Sequence, residues 1–138
     1  MVDGPVNLVR LIKLPELVDE PTLKFPVLYP NDAKFLSSEI SLFERIKKED
    51  ILLHHPYQSF DLVVDFINSA ANDPNVVAIS QTIYRTGNTS ELMQSLLNAA
   101  KKGKEVTAVV ELMARFDEET NINWASQLEE AGAHVIFG

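Results

Sequence analysis

Arg85 and Arg115 are two of only four arginines in a chain of 138 residues, and each follows an apolar run, "VVAISQTIY" before Arg85 and "VTAVVELMA" before Arg115. A guanidinium keeps its charge and offers five N–H donors in a planar fork that suits phosphate or carboxylate oxygens. Two such groups at one rim would make an anion site. The competing reading is local. Asp117, Glu118 and Glu119 follow Arg115 at once and can pair with it. They also complement the dipole of a following helix, which requires no ligand. A single arginine here reads better as half of a surface ion pair, whereas two in equivalent positions favour the anion site.

Net charge is −8 and the sequence pI is about 4.8, so no basic footprint of a nucleic-acid binder is present. A polyanion must then be met by a local cluster of positive groups. Other candidates carry less. His54 and His55 are adjacent in an extended run, so they point to opposite faces and make a poor metal pair. His134 opens an apolar segment and reads as structural. Lys101, Lys102 and Lys104 close a helix, where cations suit the dipole and a solvated cap is the default reading. Trp124 at helical spacing reads as core. "NTS" at Asn88 is a short sequon match read as chance. No Walker-type loop, G-x-G-x-x-G or G-x-S-x-G is present. The chain has no cysteine, which excludes disulfides and thiolate metal sites and fits a reducing, cytoplasmic setting. "MVDGPVNLVR" does not read as a secretory signal.

The elements that must position the arginines alternate. Five of seven prolines fall in the first thirty residues, so residues 1–36 are expected to be extended and partly irregular. The serines of "SSEISLFERIKKED", Ser37, Ser38 and Ser41, offer caps for a short helix that carries Ile40, Phe43 and Ile46. "ILLH", 51–54, reads as a short buried strand. Phe60, Val63, Val64, Ile67 and Ala71 recur at helical spacing after Ser59. Residues 76–84 read as a strand and residues 90–102 as a helix with Leu92, Leu96 and Ala99 or Ala100 inward. Residues 106–113 form the next strand. A helix from Asp117 follows, with Trp124, Leu128 and Ala131 inward, and residues 133–138 hold a last strand. The fold class expected is α/β, a mostly parallel sheet of about four βα-connected strands flanked by helices and buried on both faces. Ligands of such sheets sit beyond the carboxyl ends of the strands, where Arg85 and Arg115 lie. Helix N-termini near Ser90 and Asp117 would add partial positive charge there.

"LLHHPYQSFDLVVDFINSAANDPNVVAI", "IYRTGNTS", "AAKKGKEVTAVVEL" and "ARFDEETNINWASQLEEAGAHVIFG" together resemble the bacterial polyphosphate kinases of the first type. "GPVNLVRLIKLPELVDEPTLKFP" is similar to the stretch that closes that family's head domain. The resemblance covers nearly the whole chain, and "IYR" thirty residues before "ARFDEE" is a far more specific pair than any single short motif. It implies reversible transfer of the terminal phosphate of ATP to polyphosphate through a phosphohistidine. It implies that residues 1–36 end a head domain and that residues 37–138 are the N-terminal part of a phospholipase-D-like α/β domain. Arg85 and Arg115 match the arginines used at the magnesium-nucleotide phosphates. A guanidinium has no lone pair for a metal, so contact is expected with phosphate oxygens that also hold Mg²⁺. The family's phospho-accepting histidine lies in a "K-I-H-x-K"-like stretch after the strand that closes at Gly138. None of His54, His55 and His134 aligns with it, so no catalytic residue is expected in this chain and the chain alone is expected to be inactive. Ser80 and Met113 stand where family members often carry lysine. The partners implied are ATP, ADP and inorganic polyphosphate, with a cytoplasmic, homo-oligomeric parent.

A second function class stays open, a non-catalytic α/β module that binds a protein partner through an open sheet edge at residues 134–137.

Overall fold

The computed structural model describes residues 3–4, 7–31, 40–87 and 90–138. The boundary expected near residue 36, the caps Ser37 and Ser38, and the sequon residue Asn88 lie outside them.

The N-terminal segment is less extended than its prolines suggest. A 3₁₀ helix at Leu8–Lys13 runs into a single turn, α1 (Leu14–Leu17), and a further 3₁₀ turn spans Pro21–Leu23. Pro15 and Pro21 sit in first turns, where the missing N–H has no partner to lose. A long helix is still blocked, and residues 24–30 are irregular. Ser41 caps α2 (Leu42–Ile46) by accepting from the Glu44 N–H.

Residues 51–54 do not form the expected strand. Leu52 is almost wholly exposed, and His54 is exposed as well. A short apolar run becomes a strand only beside a partner, and the bridge in this region instead joins Asn31 to Gln58. From there the alternation holds: α3 (Asp61–Asn72), β1 (Ala78–Ile83), α4 (Glu91–Lys101), β2 (Glu105–Val110), α5 (Glu118–Glu130) and β3 (His134–Phe137). The result is an α/β fold on a three-stranded parallel sheet ordered β1-β2-β3, one strand fewer than expected.

The sheet is covered on one face. Each crossover moves the same way across the sheet, and right-handed connections then put the crossover helices on a single side. Ile79, Ile83, Val106, Ala108 and Val110 face a core completed by Ile67, Met93, Leu96, Trp124 and Leu128. Their alternates Ala78, Ser80 and Thr82 are exposed, so burial on both faces does not hold here. The helix stripes follow their spacing only in part: Ile40, Ile46 and Phe60 are exposed, and Val63, Val64, Leu92, Ala100 and Ala131 are only half-buried.

The lysines after α4 do more than cap it. Lys102 Nζ donates to Asn72 Oδ1, and half-buried Lys104 donates to the carbonyls of Asp73 and Val76. Lys104 thus ties the turn before β1 to the turn before β2. Charge-assisted bonds of this kind are worth about 1.5–3 kcal/mol before solvent exposure reduces them. Lys104→Ala should therefore lower unfolding free energy by about 1–2 kcal/mol in a urea titration. A change under about 0.5 kcal/mol, the range of ordinary surface substitutions, would mean that water replaces the lysine at no loss.

Candidate functional site

The site is built from two loops that leave one edge of the sheet together. Ile83 pairs with Val110, and the ladder runs one step further as the Glu111 N–H donates to the Ile83 carbonyl at 2.9 Å. Arg85 and Arg115 lie beyond that point, on adjacent loops, as expected for neighbouring parallel strands.

They are not equivalent. Arg85 reaches across, its Nη2 donating to the backbone oxygen of Arg115 at 2.6 Å. Its Nε stands 3.7 Å from Asp117 Oδ2. A local ion pair does form, but it runs between the loops and uses Arg85, whereas the competing reading placed it on Arg115. At 3.7 Å, with the arginine side chain 45 % exposed, the pair is worth at most about 1 kcal/mol. Arg115 is exposed, with its guanidinium carbon 5.0 Å from the centroid of the Phe116 ring. Arg85 makes the same contact with Tyr84 at 5.2 Å. Each cation is thereby steadied against an aromatic face, an attraction of about 0.5–1 kcal/mol at exposed sites.

The Arg115 loop is tightly turned. Phe116 has φ 77°, a left-handed conformation that a bulky side chain adopts only when its surroundings impose it. Here the Asp117 N–H donates to the carbonyl of fully buried Ala114 at 2.9 Å, closing the turn. Phe116 also shares a shallow apolar hollow with Val9, Leu11 and Ile12 of the N-terminal segment.

Both following helices begin at this rim. Ser90 caps α4 by accepting from the Met93 N–H. Asp117 occupies the N-cap position of α5 but makes no side-chain cap bond, its carboxylate being turned to Arg85 instead. Glu118 and Glu119 are exposed on the first turn of α5.

Helix α5 ties the two loops to each other. The Asn121 side-chain amide donates to the Tyr84 carbonyl at 2.7 Å and to the Glu111 carbonyl at 2.8 Å. Trp124 Nε1 donates to the Gly87 carbonyl at 3.0 Å, so this core residue also holds the loop after Arg85. Asn121 escaped the sequence reading. Its signal was its place in the stripe Asn121, Trp124, Ala125, Leu128, because a polar residue on an inward face must find partners.

The remaining candidates fall elsewhere. The His55 ring nitrogen Nδ1 lies 2.9 Å from the Gln58 carbonyl, and the His54 ring packs at a tilt against Tyr57, so both serve the turn before α3. His134 is exposed at the start of β3, opposite Thr107. Ser80 lies on the uncovered sheet face and Met113 is 81 % exposed, so neither sits in the core.

With this geometry in view, the family comparison is decisive: the polyphosphate kinase C-terminal domain 1 matches residues 41–138. The chain belongs to the polyphosphate kinase family. It is 62 % identical over 136 residues to a polyphosphate kinase of Paraburkholderia phytofirmans, covering 99 % of this chain and 20 % of that one. Against a polyphosphate kinase of Neisseria meningitidis serogroup A the identity is 59 % over 137 residues, with the same coverage. The crystal structure of polyphosphate kinase from Porphyromonas gingivalis superposes with a TM-score of 0.70 at 37 % identity, over 85 % of this chain and 19 % of that chain. The chain therefore spans about a fifth of the length of these polyphosphate kinases. Among the described residues no helix is long and apolar enough to cross a membrane.

Proposed function

We propose that this chain supplies the arginine wall of the phosphate site in an ATP–polyphosphate phosphotransferase. Residues 37–138 would be the first part of a phospholipase-D-like domain, and residues 1–36 the close of the domain before it. The observation that carries the proposal is the meeting of the two loops, with Arg85 bonded to the Arg115 backbone at the shared carboxyl edge of β1 and β2. One Arg85 donor is taken by that carbonyl and one faces Asp117 loosely, which leaves further donors on Arg85 and the fork of exposed Arg115 for phosphate oxygens. A polyanion entering here competes with an ion pair worth at most about 1 kcal/mol, so the local pair does not close the site.

Transfer of the terminal phosphate of ATP to polyphosphate, through a phosphohistidine outside this chain, asks little covalent chemistry of such a wall. Phosphoryl transfer is catalysed mainly by positioning and by charge placed where negative charge develops. Arg85 and Arg115 would hold the nucleotide phosphates in line and offset that charge. Among the described residues no group of three His, Asp or Glu side chains is placed to bind a metal. A guanidinium has no lone pair for a metal, so Arg85 and Arg115 would hold the phosphates of a magnesium complex and not the ion itself. Magnesium brought in with the phosphates would supply further charge neutralisation.

The test uses the chain itself. Inorganic tripolyphosphate at a hundred times its Kd should stabilise the chain by about 2.7 kcal/mol, read as a rise in melting temperature that R85A and R115A abolish. The same preparation should make no polyphosphate from ATP. An obligate oligomer indifferent to tripolyphosphate would instead favour the partner-binding module, docking through the β3 edge.

A further inference from the structure

Asn121 is fully buried at the start of α5, and its side-chain NH₂ donates both protons to carbonyls of two different loops, Tyr84 at 2.7 Å and Glu111 at 2.8 Å. Tyr84 immediately precedes Arg85, and Glu111 is the last residue of the β1–β2 ladder before the Arg115 loop. Two carbonyls are both acceptors and cannot pair with each other, so each needs a donor from elsewhere. A single planar NH₂, with its protons splayed, joins them at a fixed separation. The arrangement carries a penalty on the other side of the same group: Asn121 Oδ1 is buried with no hydrogen-bond partner among the described residues. An unpaired buried acceptor is costly, and an apolar residue of similar size would avoid it. The amide is therefore explained by its donors. The Asn121 backbone N–H also donates to the Asp117 carbonyl at 2.8 Å, which links the residue facing Arg85 to the same anchor.

We infer that Asn121 is a positioning residue that sets the spacing of Arg85 and Arg115 for the phosphates they receive. The inference rests on the phosphate site proposed above. Asn121 itself touches no substrate. It acts by pinning the two loop origins, and Trp124 pins the first loop again at Gly87.

The experiment uses the full-length polyphosphate kinase that carries this segment. N121D keeps the shape and replaces the two-proton donor with an acceptor facing two carbonyls. N121S is smaller, keeps one donor and leaves room for a water, so it reports if N121D does not fold. Each is measured alone and combined with R115A, as turnover per folded enzyme. With Arg115 present, either variant should lose about 10²-fold in kcat, the scale of an ångström misplacement of reacting groups. With Arg115 gone there is no spacing left to hold, so the further loss should stay within about twofold, whereas independent sites would lose the same factor in both backgrounds. An equal loss with and without Arg115 would mean that Asn121 only supports the fold, and near-wild-type turnover in N121D and N121S would end the inference. R85A and R115A alone give the separate reading: if both keep full turnover, the phosphate site itself fails, whatever Asn121 does.

Discussion

Arg115→Ala in the full-length kinase is expected to lower turnover about 10³-fold, the scale on which arginines act at transferring phosphoryl groups. Among the described residues the exposed guanidinium makes no hydrogen bond or ion pair beyond its contact with Phe116, so its removal takes away charge and donors and little else. The loss should therefore fall on kcat at unchanged melting temperature. Arg85→Ala should match it in turnover and differ in stability, because Arg85 also donates to the Arg115 carbonyl and stands near Asp117. Removing it frees the second loop as well. Lysine is not expected to rescue either position, since an ammonium is a point charge and cannot present two parallel donors to one phosphate. Steady-state rates with ATP, with unfolding curves run alongside, test this directly. Turnover close to wild type in both alanine variants would remove the arginines from the phosphate site.

How much of this was legible beforehand differs from element to element. Ser90 and Gly103 bracket α4, and the helix falls between them because a serine hydroxyl can satisfy a first-turn N–H and glycine can take φ 82°. The run 76–84 overstates β1 at its start, where Val76 and Val77 precede the ladder. Apolar character marks what avoids water and does not mark where a neighbour begins. Residues 51–54 show the same limit more strongly, because nothing in "ILLH" says whether another strand will lie alongside. The uncovered sheet face was also illegible: burial on two faces was inferred from composition, whereas coverage depends on which side the helices cross.

The arginine pair shows the limit at the site. Equivalent positions after two strands correctly implied a shared edge, since parallel neighbours bring their ends together. They did not announce that the two side chains are held differently, Arg85 bonded across to the second loop and Arg115 exposed. Arg85 spans the gap and Arg115 stays open because the turn at Phe116 aims the Arg115 carbonyl back at the first loop. That turn requires φ 77° at a phenylalanine, which no local preference announces.

Trp124 should carry the largest single contribution to stability among the residues that hold the site. Its side chain is 5 % exposed, and its indole N–H is bonded to the Gly87 carbonyl at 3.0 Å. Trp124→Ala removes that packing and leaves a cavity between α5 and the sheet, a loss of about 3–5 kcal/mol. Domains of this size are held by about 5–15 kcal/mol, so the variant should be partly unfolded near physiological temperature. Trp124→Phe separates packing from the loop contact. It keeps an aromatic ring in the core and gives up the N–H, and since Gly87 is exposed its carbonyl can turn to water, so the loss should be nearer 1 kcal/mol. Trp124 is the only tryptophan, which makes fluorescence useless in either variant and far-ultraviolet circular dichroism the probe for both. If the two variants lose the same stability, the hydrogen bond to Gly87 carries most of the effect. The loop after Arg85 would then be a structural element of the core in its own right. If the alanine variant loses several times more, as expected, the core holds the helix, and the helix in turn holds the loops that carry the arginines.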